Sequence, residues 1–502
     1  MRFCLRGLSV TLPFFLGALL LWSCAKDEME EVVTPEEPLP KILSFSLLAK
    51  DNPECLVEDC VGEIVGDSLI KCRIPHLIPS RYLIPRIGFE GNKISTGGGR
   101  IDFSRPQEIT VYNKDGKEKQ YRCEVTTYTE LPVLFIETEN RDTILSRDKY
   151  LQGRIKIEAD NNPEYHLEAS LKIRGRGNST WEEMPKKSYR IKLTTKESIL
   201  GMPANKDWIL LANYADKTML RTETAFNMSR KSSMIYTPRT KFVELILNGE
   251  YAGTYQLVEK LEIAKTRINL SENGYLLEID GKSKQEDVLF NVAHIRFPIS
   301  IKDPEVKVGD EKFKFISDTV NEIDSVLFSD NFQSEISKYI DLTSFADWYL
   351  INEIARNQDA YFYTSCYMTY DQLEGKLRMG PVWDFDLSFG NPFHMDDGNP
   401  EGYHILKYTA WYKQLFKSSE FVNLVKERFK LFYDQMTEQM NSINENANLL
   451  RYSVVENDNK WHTLYNYTWP NYNVWGSYLN EVQQMKNWYQ ARMEWLKSEY
   501  NI

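Results

Sequence analysis

Alternating apolar and polar residues predict short β-strands through the first part of this chain. Between residues 41 and 128 such runs recur at close spacing, and the pair Asp115-Gly116 predicts a hairpin turn before the last of them. Short strands at this spacing are typical of a β-sandwich. We therefore predict a small all-β sandwich module over residues 41–128 that serves as a spacer, with adhesion as the alternative role.

Strand patterns continue beyond Pro132 and give way to helices after Asp303. Asn248-Gly249 predicts a hairpin turn, and Asp341 predicts the N-cap of a helix whose apolar residues recur at helical spacing. Strands followed by helices, with one hairpin returning between them, indicate an α+β fold. Further helices are predicted over residues 216–230, 418–450 and 475–500, the first capped by Asp216. The last is predicted to bury one face, made of Leu479, Val482, Met485, Tyr489, Met493 and Leu496.

The N-terminus predicts export. Arg2 and Arg6 precede an apolar run over residues 8–21, which is shorter than a membrane span and suits a signal peptide. The next residues resemble a bacterial lipobox that would be lipidated at Cys24, and the acidic cluster after it resembles a surface-export signal. A plain signal peptide is the alternative. We predict a lipoprotein anchored in the cell envelope, in the outer membrane and exposed at the surface, with a signal peptide over residues 1–24 and a flexible tether over 25–40.

Composition narrows the classes of function. The chain has 502 residues, 42% of them hydrophobic, which allows two or three domains with sizeable cores. Its net charge of -11 argues against a general nucleic-acid binder, because such proteins present basic surfaces. No C-x-x-C pair predicts a zinc site, and we interpret His394–Asp397 as solvated. In an exported protein Cys55, Cys60, Cys72 and Cys123 could form disulfides, which leaves Cys366 as a buried thiol.

A pair of carboxylates carries the strongest chemical signal. Asp384 and Asp386 follow a predicted hairpin over residues 367–379 and precede Phe389-Gly390. Oxygen ligands at the end of a strand suit Mg²⁺, and phosphoryl-transfer enzymes hold Mg²⁺-nucleotide in this way. The alternative is that the two acids only stabilise a turn.

Two polar residues precede this pair by about 25 positions. Asn357 and Asp359 follow the last turn of the helix that begins after Asp341. In phosphoryl transfer, an acid that accepts the hydroxyl proton and an amide that binds metal are the expected partners. The order of catalytic loop, hairpin and metal-binding acid is that of protein kinases, although His-Arg-Asp and the six-residue glycine loop are missing.

Basic residues on two predicted strands could bind phosphate. Arg174 and Arg176 alternate with glycines, which combines guanidinium groups with exposed amides. Arg190 and Lys192 lie on one face of the following strand. A tight turn and a solvated sheet face are the alternatives for these two segments.

Five segments resemble the CotH family, an atypical, secreted, kinase-like fold named for a spore-coat protein. In the family's order they are Arg174–Trp181, Lys186–Lys192, Trp208–Asp216 with Leu220-Arg221, Asn248–Tyr255 with Glu259, and Gly380–Asp386. The resemblance implies a two-lobed kinase-like domain over residues 130–502, ATP with Mg²⁺ or Mn²⁺ as cofactors, and phosphorylation of Ser or Thr in exported proteins. The module before it resembles the Ig-like modules of surface lipoproteins.

The same resemblance assigns roles by position. Asp384 matches the metal-binding acid of the family, Asp386 its near neighbour, and Asp359 the earlier catalytic acid. Lys192 resembles the strand lysine that contacts ATP phosphates, and Glu259 is a nucleotide-pocket or lysine-pairing acid. The implied partners are an exported protein substrate, and a membrane through the lipid anchor only.

Two other functions stay open on the sequence. The first is a catalytically inactive surface lipoprotein that binds glycan or protein, which the many Trp and Tyr residues between Trp461 and Trp495 favour. The second is a glycoside hydrolase that uses Asp384 and Asp386 as its paired carboxylates.

Overall fold

The computed structural model describes six ranges of the chain, residues 37–75, 82–160, 162–284, 287–391, 398–471 and 473–502. The predicted lipidation site Cys24, nearly all of the tether and the cluster at His394–Asp397 lie outside these ranges. Within them no helix is long and apolar enough to cross a membrane.

The N-terminal module is built from strands that enclose a small apolar core. The strands are β1 (Lys41–Leu47), β2 (Cys60–Val65), β3 (Leu69–Pro75), β4 (Tyr82–Leu83), β5 (Pro85–Glu90), β6 (Lys93–Ile94), β7 (Ile101–Asp102), β8 (Gln107–Tyr112) and β9 (Glu118–Tyr128). Seven of them pair in the order β5-β1-β2-β3-β9-β8-β6, and β4 pairs with β7. Phe45, Ile70 and Ile109 are fully buried between them, as alternation requires. The Ig-like resemblance stays a prediction.

A closed barrel follows the module. Its strands are β10 (Val133–Thr138), β11 (Leu151–Glu158), β12 (Leu167–Arg176), β13 (Ser188–Ile199), β14 (Met202–Leu211), β15 (Thr240–Leu247) and β16 (Glu250–Glu259). Neighbouring strands are antiparallel except β10 and β15, which close the barrel in parallel. Ile173 and Ile191 fill its interior, so the charged residues that alternate with them face outward. Helices α1 (Ser179–Glu182) and α2 (Arg221–Arg230) interrupt the strand order.

The second half of the chain combines a five-stranded sheet with helices. The sheet has the order β18-β19-β17-β20-β21 and consists of β17 (Gly274–Ile279), β18 (Leu289–Phe290), β19 (Ile299–Asp303), β20 (Cys366–Asp371) and β21 (Lys376–Met379). Strands β20 and β21 are the predicted hairpin. The helices are α3 (Glu311–Leu327), α4 (Phe332–Glu335), α5 (Leu342–Ala355), α6 (Ala410–Leu415), α7 (Ser419–Asp434), α8 (Met436–Leu449), α9 (Ser453–Trp461) and α10 (Tyr478–Tyr500). The predicted α+β class is therefore confirmed.

Most predicted helix features agree with the structure, and two do not. Asp341 caps α5, since its Oδ1 accepts a hydrogen bond of 3.0 Å from the Ser344 amide. Asp216, in contrast, is not the N-cap residue of α2, which begins five residues later at Arg221, although its carboxylate accepts a hydrogen bond from the Arg221 amide. Leu479 is 74% exposed, although the other five residues predicted for that face of α10 are buried. It lies in the first turn of the helix, where little packs over it.

The predicted disulfides are absent among the described cysteines. Cys60, Cys72, Cys123 and Cys366 are thiols, and all four are buried. Burial raises the pKa of the Cys72 and Cys123 thiols to about 12, so both are neutral at physiological pH. They act as small apolar core residues.

Candidate active site

A cavity of about 340 Å³ lies between the open end of β12 and the five-stranded sheet. The segment over residues 176–184, which includes α1, forms one wall, and the ends of β17 and β19 form another. The floor is the turn after α5 together with the loop after β21. Trp469 and Pro470, between α9 and α10, contribute to the rim.

The loop after β21 brings both predicted carboxylates into this cavity. Asp384 has a left-handed backbone with φ of 67°, and its Oδ2 accepts a hydrogen bond of 3.2 Å from the Ser365 hydroxyl. Asp386 also lines the cavity. Burial raises the pKa of Asp386 well above its ordinary value, and repulsion from Asp384 adds to the shift.

The turn after α5 places Asp359 in the same cavity. The Phe389 amide donates to the Ala355 carbonyl at 2.7 Å, and the Gln358 amide donates to the Leu387 carbonyl at 3.4 Å. These bonds join the turn to the loop of the two carboxylates. Burial, together with repulsion from Asp384, raises the pKa of Asp359 to about 7, and Lys282 partly opposes both effects. The sequence therefore identified three acids that the fold brings together.

The donor atoms around these acids suit a hard divalent cation. Carboxylate and hydroxyl oxygens, which Asp384, Asp386 and Ser365 supply, are the ligands that Mg²⁺ prefers. Within the described ranges no group of three or more His, Cys, Asp or Glu side chains forms a ready metal cage. Mg²⁺ usually binds through one or two carboxylates plus substrate phosphates, so the residues present fit a cation that arrives with nucleotide.

Positive charges balance the acids across the cavity. Arg176 lies over the Trp383 ring with its guanidinium carbon 5.4 Å from the centroid, and it has no ion pair with a described residue. Lys302 pairs with Glu278 at 2.9 Å and with Asp280 at 3.4 Å. Arg176 is thus available to an anionic ligand.

Comparison with protein families agrees with this geometry. A family model described as "CotH kinase protein" matches residues 173–496, which include the end of β12, the later barrel strands, the cavity and most of α10. The match covers well over half of the chain. This chain belongs to the CotH kinase protein family.

Similarity to individual proteins is weaker. The crystal structure of a proposed glycoside hydrolase from Bacteroides thetaiotaomicron is 21% identical over 35% of this chain and 53% of that chain, with a TM-score of 0.16. The match spans about half of that structure, and at this TM-score it carries no argument about the fold or activity of the CotH family chain. Among curated proteins, none matches the sequence.

Three of the predicted phosphate-binding cations of this CotH kinase family member do not line the cavity, and one of them, Arg190, pairs with Asp207 at 2.5 Å. Lys192 is on the outer face of the barrel, and its ammonium lies 3.7 Å from Asp207. Arg174 stacks over the Tyr150 ring at 5.0 Å and does not line the cavity. Strand alternation correctly predicted the outward face of Lys192, but the cavity opens at the end of β12, where Arg176 lies.

Glu259 and Asn357 have structural partners. The Glu259 carboxylate is fully buried and accepts hydrogen bonds from Tyr236 at 2.6 Å and from Arg239 at 2.9 Å, so it pairs with no lysine. Asn357 is buried below the cavity, and its amide nitrogen donates to Asn352 at 3.1 Å. Neither residue is part of the cavity wall.

A buried lysine that the sequence analysis did not single out lies behind the carboxylates. Lys186 lines a small pocket of about 30 Å³ that continues from the main cavity and is also lined by Asp384 and Asp386. Burial lowers the pKa of Lys186 to about 7, although Glu244 opposes this shift. The sequence signal was the strand motif Pro185-Lys-Lys, in which Lys186 precedes the alternating residues and therefore was not assigned to a face.

Proposed function

We propose that this CotH kinase family member is an exported kinase that transfers phosphate from ATP, with Mg²⁺ or Mn²⁺, to Ser or Thr hydroxyls of exported or surface proteins. The observation that supports the proposal is the convergence of Asp359, Asp384 and Asp386 in one cavity that also contains Arg176. Phosphoryl transfer requires a proton acceptor, metal ligands and counter-charge within one site. The same proposal includes a two-lobed, kinase-like arrangement in which the barrel is one of the lobes.

Each residue has a distinct task in this scheme. Asp384 and Asp386 would hold a divalent cation, which supplies electrostatic stabilisation of the phosphate oxygens when bound. Arg176 orients the phosphates through its guanidinium, which no described carboxylate competes for by forming an ion pair. Trp383 beneath it keeps the guanidinium plane fixed.

Asp359 would accept the proton of the acceptor hydroxyl. The hydroxyl oxygen forms a bond to the terminal phosphorus of ATP, the bond from that phosphorus to the bridging oxygen breaks, and ADP leaves. The hydroxyl proton moves to a carboxylate oxygen of Asp359. A buried carboxylate with a raised pKa is a stronger base than an exposed one, and it can hold the proton until the product dissociates.

The proposal is tested with the full-length chain, labelled ATP, and Mg²⁺ or Mn²⁺, using exported proteins as acceptors. We expect incorporation of label that requires metal and is lost in Asp384→Asn. The matched control is Glu374→Gln, which removes one carboxylate from the exposed turn between β20 and β21. Equal incorporation in Asp384→Asn and wild type would exclude this site as the centre of transfer.

One observation favours the second candidate, a binding protein without activity. The segment between α9 and α10 exposes Tyr465, Tyr467, Trp469 and Trp475 at the protein surface. Aromatic rings provide large contact areas for glycans or peptides. This reading predicts glycan or peptide binding with no measurable affinity for Mg²⁺-ATP, which isothermal titration calorimetry distinguishes from the kinase reading.

Envelope localisation belongs to the same proposal and rests on the sequence. Lipidation at Cys24 would anchor the chain, since each buried CH₂ of an acyl chain contributes about 0.8 kcal/mol. Cys24→Ala should release the protein from the membrane fraction of the cells that express it. Unchanged membrane retention of the variant would contradict a lipid anchor.

A further inference from the structure

Lys186 is held from behind by two oxygen atoms. Its ammonium donates to the Thr254 carbonyl oxygen at 2.5 Å and to Asn457 Oδ1 at 2.8 Å. The side chain is 1% exposed and stacks over the Tyr255 ring at 4.6 Å. A lysine has four rotatable side-chain bonds, so a fixed position beside Asp384 requires such contacts.

Asn457 belongs to helix α9, which packs directly on barrel strand β16. The residues that contact the strand, Ser453, Asn457 and Trp461, recur every four positions and share one helix face. Asn457 Oδ1 accepts a second hydrogen bond, of 3.2 Å, from the Thr254 amide. One side-chain oxygen thus joins helix, strand and lysine.

The strand has a glycine at the point of closest approach. Gly253 has φ of 113°, and a Cβ there would lie 2.7 Å from Asn457 Oδ1, 2.7 Å from Trp461 Nε1 and 2.9 Å from Lys186 Cε. A side chain at this position would displace both the helix and the lysine. The close packing explains why the hairpin motif after Asn248 contains this glycine.

The N-terminal module contacts the same helix from the other side. The Tyr452 hydroxyl, just before α9, donates to the Glu58 carboxylate of the module. The Asn459 side chain donates to the Glu54 carbonyl at 3.0 Å. Arg451 forms a two-point ion pair, of 2.6 and 2.7 Å, with Glu130 in the segment that joins module and barrel.

We propose that α9 connects the N-terminal module to the candidate active site, and that Asn457 is a positioning residue for Lys186. The module then does more than separate the catalytic domain from the membrane: its Glu54 and Glu58 hold the helix that holds the lysine. An effect of this coupling on phosphoryl transfer rests on the proposed kinase function. The coupling between the module and Lys186 does not rest on it.

The coupling can be measured without nucleotide or acceptor. The full-length chain is treated briefly with an amine-specific acylating reagent, and labelling of Lys186 is quantified by mass spectrometry against exposed Lys312 on α3. The coupled variant is Glu58→Ala/Asn459→Ala, which removes the hydrogen bond between Tyr452 and Glu58 and the one between Asn459 and the Glu54 carbonyl. The matched control is Glu108→Ala, in which Asn459 is unchanged. Glu108 is an exposed carboxylate on β8 of the same module.

We expect labelling of Lys186 to rise at least about ten-fold in Glu58→Ala/Asn459→Ala, because loss of the bond from Tyr452 to the Glu58 carboxylate and of the bond from Asn459 to the Glu54 carbonyl frees α9, and with it Asn457, to move away from the lysine. Labelling in Glu108→Ala should equal that of wild type. If Lys186 were labelled as slowly in the double variant as in wild type, the coupling would be wrong and the module would be only a spacer. Because no ATP is present, this result is independent of whether the chain is a kinase.

Kinetics then separate positioning from general stability. Asn457→Leu removes the oxygen that holds Lys186, whereas Asn457→Asp keeps an oxygen in the same place. If Lys186 contacts the phosphates, Asn457→Leu should raise KM for Mg²⁺-ATP or lower kcat by about ten-fold. In Asn457→Asp both constants should be close to those of wild type. Equal loss in both variants, with equal melting temperatures, would contradict a positioning role. Absence of transfer in wild type would instead count against the proposed function alone.

Discussion

The Arg221 side chain donates from Nε to the main-chain carbonyl of Ser388 at 2.9 Å and joins α2 to the loop that carries Asp384 and Asp386. Its other end pairs with Asp216 at 2.5 Å, and both residues of this ion pair are buried. Asp216 also accepts from the amides of Thr218 and Arg221. The Arg221 guanidinium therefore helps to fix the loop of the two candidate metal ligands to the barrel half of the chain.

Replacement of Arg221 should destabilise the protein strongly. Arg221→Met keeps most of the side-chain volume but leaves Asp216 charged and buried without its cation. Such changes cost about 3–5 kcal/mol in the free energy of unfolding, which urea denaturation measures. Arg141→Met is the control, because its pair with Glu137 is exposed and should contribute about 1 kcal/mol or less. Similar losses in the two variants would contradict this role of Arg221.

Local patterns predicted the parts of the fold that depend on neighbours in sequence. Tyr189 and Ile191 alternate with Arg190 and Lys192, and the barrel buries the first pair, whereas Arg190 is half-buried and Lys192 is exposed. The cap of α5 at Asp341 was predictable because Asp followed by an apolar helical pattern has a local physical cause. The acids at 384 and 386 stood out for the same reason, since they directly follow a hairpin.

Roles that depend on distant partners were not predictable. The sequence predicts that Lys192 contacts phosphate, but strand β14 places Asp207 beside it. The motif predicts that Glu259 is a nucleotide-pocket or lysine-pairing acid, but in the fold Glu259 pairs with Arg239. Lys186 was overlooked because its importance comes from Asn457, which is 271 residues away.

Loss of the Asp384 carboxylate should abolish activity without unfolding the protein. Asn tolerates the left-handed conformation that Asp384 adopts, so Asp384→Asn keeps the loop while weakening a metal ligand. We expect transfer from ATP to fall at least about 100-fold, with an unchanged melting temperature. Radiolabel transfer and thermal unfolding check the two parts. A variant that retains wild-type turnover would show that Asp384 holds no essential metal.

Asp359 should affect turnover more than nucleotide affinity. A base acts on the acceptor hydroxyl, so Asp359→Ala should lower kcat by about 100-fold or more and leave KM for ATP nearly unchanged. Steady-state kinetics at saturating acceptor measure both constants. A raised KM with normal kcat would make Asp359 a binding residue.

Glu244 should make stability fall as pH rises through the acid range. Burial raises its pKa from 4.5 to about 7, so between these values the folded state keeps a proton that the unfolded state has lost. This contribution, about 3 kcal/mol, is present below pH 4.5 and is lost toward pH 7. Glu244→Gln cannot titrate, so its free energy of unfolding should not show this fall. The difference between variant and wild type should therefore grow by about 3 kcal/mol in favour of the variant from pH 4.5 to pH 7. Parallel pH profiles from urea denaturation would show that Glu244 is not protonated in the fold.

Gly253 should tolerate no side chain. Gly253→Ala forces a Cβ against Asn457 and Trp461 of α9, at 2.7 Å from each, and also places Ala at φ of 113°. The overlap and the backbone strain together should lower the free energy of unfolding by at least about 2 kcal/mol. Gly99→Ala is the control, since no atom lies within 4 Å of a Cβ there and its φ is not positive; it should change stability by about 0.5 kcal/mol or less. Hydrogen exchange should locate the damage in α9, because the helix must move away from β16. If α9 stayed as protected as in wild type, the helix would not depend on this close contact.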